Sequence, residues 1–441
     1  MERYILLQNA RIAETSRSRF RDSDILIKAR TQTSPSEIVA IGENLDLPSG
    51  SNVMIRTLNL GGQIVCPSFV DMRCDICEPG NRNREDLSTL GKAASAGGFG
   101  AVLSIPIVGI DADEETVIAY ILENEKRTNG VKILPSAPLT VRSCANKTVD
   151  FEKLIEIGAA AFGDDGSADS PTMLEAMRKC AENDRLIVLH CEEKALVGDG
   201  VMNDGNFARA FGYKGIPSSA EEIAVARNIL LASETGCRIH ISHVSTAKSA
   251  EIIRQAKKAG VRVTCDTSPQ YFSLADDEII YHSANAKVMP PLRTRADNEA
   301  IIEAIKDGTI DCISSDHTPR TVREKPHDLT AALPGIIGLQ TAFTIALDKL
   351  VMKGPVDIFR LISLFTDMPS SIVGHGYEIS VGQPAYLNVI SLDYDTFFQE
   401  TNIKSKSKNT PFLETNFNGC LTYTLTDGVI NINPDISMPW Q

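Results

Sequence analysis

The sequence predicts an α/β protein: a (β/α)8 TIM-type barrel with a small β-sandwich domain built from the N- and C-terminal segments. Two patterns carry this. From Ile64 onward, short apolar runs of strand length alternate with longer helical stretches, and the strand units number eight, enough to close a parallel barrel. Residues 1 to about 62 show brief alternating runs broken by polar turns, and similar strand signals return near the C-terminus.

The alternating runs are Tyr4–Gln8, Asp24–Lys28, Glu37–Ile41 and Val53–Asn59, so residues 1–62 form the first part of the sandwich. The barrel spans 63–378. Its expected strands are Ile64–Val70, Ala101–Ile105, Val131–Leu134, Ala160–Phe162, Leu186–His190, Arg238–His243, Val261–Asp266 and Asp311–Ser315. Helical stretches between them include Glu114–Asn129, Thr172–Asn183, Ala220–Thr235, Ala247–Ala259 and Asp297–Asp307. The alternation alone also allows an open doubly wound sheet, but no GxGxxG fingerprint favours that choice. Helices fill the chain from Ala331 to about His375. Strands at Pro384–Ser391 and Gly419–Ile432 place 379–441 back in the sandwich.

With 441 residues, 43% hydrophobic and 23% charged, the chain has the composition of an ordinary globular protein. Its net charge of −13 argues against nucleic acid or an anionic membrane as partner. No apolar run reaches the length of a membrane span, and the opening MERYILLQNARI reads as a strand rather than a secretory signal. The ten cysteines fall mainly in apolar segments, as buried reduced thiols of a cytoplasmic protein do. Cys74 and Cys77 have Cys-x-x-Cys spacing, but a strand points them to opposite faces, which weakens a redox or zinc reading.

Chemistry in a parallel barrel gathers at the C-terminal strand ends. There the sequence places Asp165 in G-D-D-G, His190 in L-I-V-L-H-C-E, His243 in H-I-S-H-V-S-T and Asp316 in S-S-D-H-T-P. One histidine at a strand end is ordinarily a satisfied polar group. Four such residues in barrel order are harder to explain that way, and two imidazoles with two carboxylates can bind zinc. The first strand ends in V-D-M-R-C-D-I-C-E-P-G, where alternation puts Arg73, Asp75 and Cys77 on one face.

These motifs resemble the dihydroorotases of the amidohydrolase superfamily, of the type associated with aspartate carbamoyltransferase. The frame P-S-F-V-D-M-R-C-D-I-C-E-P-G matches their opening strand, and P-P-L-R at Pro290–Arg293, Gly335–Ala342 and Ser407–Phe412 match further hallmarks. The resemblance implies Asp316 as the general-base position and Asp165, His190 and His243 as metal ligands. It also shows departures. The family's His-x-His is Arg73 and Asp75, and its substrate-clamp positions are Cys77, Ile107, Met289 and Arg320. None of the seven histidines supplies another His-x-His, and an arginine cannot ligate a metal.

The resemblance therefore implies a dihydroorotase-like protein of pyrimidine biosynthesis whose metal and substrate sites are degenerate. It would act as a structural or regulatory partner of aspartate carbamoyltransferase, in a homo-oligomeric cytoplasmic assembly. The alternative is a hydrolase of a cyclic amide or ureide using one zinc at Asp165, His190 and His243. A binding module using the barrel mouth is a third class. The expected behaviour of Arg73 is that it fills the place of the lost metal and pairs with Asp316, Asp165 or both, with Asp75 beside it.

Overall fold

The computed structural model describes residues 2–32, 34–107, 112–141 and 146–437. The barrel strands are β1 (Phe69–Cys74), β2 (Phe99–Ser104), β3 (Lys132–Leu134 continuing as Ser136–Pro138 past Pro135), β4 (Ala161–Asp164), β5 (Leu186–Leu189), β6 (Arg238–Ile241), β7 (Val263–Thr267) and β8 (Cys312–Ile313). Registered neighbours are parallel throughout, from β1 to β3 and from Ser136–Pro138 to β8. The strands are almost entirely apolar because each is covered by a helix outside and by packed side chains within. Phe69, Phe99, Phe343 and Phe365 pack together at the base of this core, Phe69 stacked on Phe343 and the other rings tilted or edge-on.

Polar groups close the ring between β8 and β1. Asp71, fully buried, accepts hydrogen bonds from Ser315 N (2.7 Å) and Ser315 Oγ (2.6 Å), and Asp75 N donates to His317 O at 2.8 Å. Burial raises the Asp71 carboxyl to about 7, against which the Ser315 bonds pull downward. Gly338 sits where a Cβ would lie 1.9 Å from Ser315 O, so only glycine allows the 335–342 segment to pack against this seam.

The sandwich sheet joins both chain ends. The strand Glu2–Glu14 pairs with Arg19–Lys28 and Val53–Asn59, and the strand Leu387–Phe398 pairs with Thr415–Thr426. The run read from sequence as one barrel strand, Ile64–Val70, is two. Ile64–Pro67 pairs with Leu387–Ile390 in the sandwich, and the barrel begins only at Phe69. Pro67 lacks an N–H and Ser68 N donates to Tyr386 O, so the ladder ends there and the chain turns into the barrel. The sandwich boundary thus lies about five residues later than expected.

All nine cysteines among the described residues are free and buried, Cys74 and Cys77 included; Cys144 lies outside the described residues. No helix is long and apolar enough to cross a membrane among the described residues.

Candidate functional site

The mouth of the barrel is organised by an ion pair. Arg73, next to last in β1, donates from Nε to Asp316 Oδ1 at 3.0 Å, with side-chain exposures of 17% and 8%. The other carboxylate oxygen, Oδ2, accepts from Gln270 Nε2 at 2.9 Å. Asp316 follows β8 with a φ of 48°, in the left-handed region that a non-glycine residue adopts only when its surroundings hold it there. Burial lifts its carboxyl to about 6, even though the Arg73 guanidinium pulls the other way. The expected Arg73–Asp316 pair is present. The pairing of Arg73 with Asp165 is not.

The two strand-end histidines meet each other. His190 Nδ1 lies 2.9 Å from His243 Nε2, and His190 Nε2 lies 2.7 Å from Glu192 Oε2. Burial, then the nearby Arg73 charge, holds His243 well below the usual imidazole range, so its ring is neutral. A proton on His190 Nε2 suits the Glu192 carboxylate, which leaves Nδ1 to accept from His243 Nε2–H; this tautomer is assigned from the hydrogen bonds. The facing nitrogens are then committed to the chain Glu192–His190–His243. His243 N also donates to Asp266 Oδ1 at 2.7 Å, which fixes its backbone, again at positive φ (42°).

Asp165 does not join them. Its side chain is 63% exposed and takes a hydrogen bond from Lys194 Nζ at 3.1 Å and another from Ser167 N. Its neighbour Asp164 bonds the loop amides of Gly166 and Ala168. Asp75 lies beside the Arg73 strand end but faces Arg320, with Oδ2 3.6 Å from Nη1, while Oδ1 accepts from Cys77 N. Arg320 is pinned by donating from Nε to Pro334 O. Cys77 is buried at φ 56°, Ile107 is buried in the barrel core, and Met289 is half-buried.

The retained hallmark residues serve packing. Arg293, 1% exposed, donates to Ser245 Oγ, Asn203 Oδ1 and Ile216 O. Asn409 stitches three loops by donating to Thr318 O and Gly335 O and accepting from Arg320 N. Glu85, buried, gathers Ser405 Oγ, Lys406 N and His317 Nε2, the last at 3.4 Å.

Comparison with known proteins fits this frame. Residues 62–249 match the family described as dihydro-orotase-like. A dihydroorotase of Anoxybacillus flavithermus is 37% identical over 408 residues, covering 92% of this chain and 94% of the relative. One of Citrifermentans bemidjiense is 35% identical over 429 residues, covering 97% and 99%. The chain belongs to the dihydroorotase-like amidohydrolase family. Its fold is also that of an L-hydantoinase (dihydropyrimidinase) from Arthrobacter aurescens, with a TM-score of 0.82 at 24% identity over 98% of both chains. A D-hydantoinase from Thermus sp. gives 0.80 at 19% identity, over 97% of this chain and 95% of that one.

A metal centre implied by this amidohydrolase family is a poor fit to the residues present. Among the described residues no three His, Cys, Asp or Glu side chains converge where a metal ion could be held. The mouth instead contains a permanent cation, Arg73, hydrogen-bonded to the Asp316 carboxylate. Glu192 and Gln270 also belong to the mouth, although neither is among the site residues the sequence points to. Glu192 lies two residues beyond His190, a spacing that hints at a shared side; Gln270 sits in a short helix after β7 and carries no comparable signal.

Proposed function

We propose that this dihydroorotase-like protein has lost metal-assisted hydrolysis and acts as a folded partner of aspartate carbamoyltransferase. The observation that carries the reading is the Arg73–Asp316 pair at 3.0 Å, with Gln270 on the remaining oxygen. A carboxylate held by a guanidinium on one oxygen and an amide on the other is a weaker base toward a water proton than a free one, although each oxygen keeps a second lone pair. A bound metal lowers the pKa of water from 15.7 to about 7. Without that help the deprotonation is harder by on the order of 10 kcal/mol at 1.36 kcal/mol per pKa unit. The cyclic-amide hydrolase with one zinc is disfavoured by the same geometry, since Asp165 turns to Lys194 and the two imidazoles bond each other.

The partner role is supported by what is kept. Arg293 and Asn409 hold the loops of a complete fold around a mouth whose chemical groups have changed. The test is affinity purification of the tagged chain from its host. The expected result is co-purification of aspartate carbamoyltransferase, together with no dihydroorotate turnover by the chain alone. A carbamoyltransferase that is fully assembled and active in cells lacking this chain contradicts the partner role.

A further inference from the structure

A cavity lies away from the barrel mouth, lined by none of the residues that form the mouth. It measures about 610 Å³ and opens between the sandwich strands Thr415–Thr426 and Val429–Ile432 and the barrel helix Leu87–Ala96. That volume lies within the range of small-molecule sites. Its walls combine two kinds of surface. Aromatic rings, including Phe417 and Tyr423, line it beside a set of threonine and asparagine side chains. Lys92, Lys404 and Arg30 also line it, against Asp435 as the acidic lining residue. Arg30 is balanced by Asp427 at 2.9 Å. Lys92 and Lys404 are exposed and have no carboxylate within ion-pair distance among the described residues, although Lys404 lies near enough to Asp435 to act on its charge.

Two features set this cavity apart from an ordinary interdomain gap. A protein of net charge −13 here presents an excess of cations to a concave surface. And Thr396, 5% exposed in the wall, has a hydroxyl with no hydrogen-bond partner of ordinary geometry among the described residues, only the Cys420 sulfur lying near it. That hydroxyl is sealed from the cavity, so it marks a polar wall and not a contact a ligand makes directly.

We infer that this interdomain cavity binds a mononucleotide-class ligand: a flat heterocycle against the half-buried Tyr423 ring, with a phosphate held by Lys92 and Lys404. An aromatic ring such as that of Tyr423 accepts a planar ring against it, and the wall's hydroxyls and amides suit a heterocycle's polar edge better than a hydrocarbon tail. The lysines supply charge-assisted hydrogen bonds to an anion. The site is independent of the Arg73 mouth, so it stands or falls apart from the loss of hydrolysis.

Isothermal titration calorimetry on the full chain tests it, using uridine 5′-monophosphate and adenosine 5′-monophosphate, with uridine alone and inorganic phosphate alone as separate arms. Either mononucleotide should bind more tightly than uridine or phosphate. The charge-reversed variant Lys92→Glu/Lys404→Glu should weaken that binding at least about tenfold. Val429→Trp, at the exposed rim, should block it, and all three side chains are exposed enough that the thermal midpoint stays unchanged. No binding of either mononucleotide, binding unaffected by the lysine reversal, or phosphate binding as tightly as the mononucleotides would each overturn the assignment.

Discussion

Arg73→Ala should lower folding stability by about 3–5 kcal/mol at pH 8, the usual cost of stranding one partner of a buried ion pair. The same substitution should cost much less at pH 5. The sign follows from Asp316, whose carboxyl stands at about 6 in the folded protein against an ordinary 3.8. A raised carboxyl favours folding fully below its unfolded pKa, and that contribution is lost as pH rises from about 4 to about 6. At pH 8 Asp316 is ionised and Arg73 is its cation; at pH 5 it is mostly protonated and removal of Arg73 strands no charge. Arg73→Ala pushes the carboxyl higher still, so its stability should keep falling at pH values where the parent has levelled. Urea unfolding at both pH values measures this, and Arg73→Ala/Asp316→Asn should recover most of the loss at pH 8. A loss within about 0.5 kcal/mol at both pH values, the ordinary result for a surface residue, contradicts the pair's role.

Putting histidines back at the first-strand positions, Arg73→His with Asp75→His, should leave dihydroorotate turnover undetectable. The substitution removes the cation from Asp316 and offers two imidazoles, but the rest of the mouth stays as it is. Cys77 and Ile107 offer no strong donor to an anionic substrate, and Arg320, although released from Asp75 by the substitution, still donates from Nε to Pro334 O. His190 and His243 remain bonded to each other, and Asp165 remains with Lys194. The effect is large because activity depends on all these groups together, so partial repair recovers little. A zinc-dependent rate in the ordinary enzyme range, about 1 to 10³ per second, shows that the clamp positions are not needed.

Much of the barrel was legible because its strands are short apolar runs set off by helical stretches with clear amphipathic spacing. β5, β6 and β7 lie within two residues of where the apolar runs put them. The split at Pro67–Ser68 was not legible, since Ile64–Pro67 and Phe69–Cys74 are both buried and nothing in their composition says which sheet each joins. The Arg73–Asp316 pair was legible from the resemblance together with charge: the family's metal position is left without its dication, and an arginine on the same strand face supplies the cation that Asp316 needs. The fate of Asp165 did not follow. In G-D-D-G two adjacent carboxylates diverge, and which one turns outward depends on Lys194, a contact 29 residues away. Glu192 went unread for a related reason, because its bond to His190 depends on how the loop after β5 turns.

Zinc stoichiometry tests the central claim most directly. The full chain is purified from zinc-supplemented cells without chelator, and metal per chain is measured by inductively coupled plasma mass spectrometry. With Arg73 serving as the cation of Asp316, zinc should be far below one per chain, and added zinc should not raise the thermal midpoint. One or more tightly held zinc ions per chain, with a midpoint that rises on zinc addition as ligand linkage requires, would contradict the account.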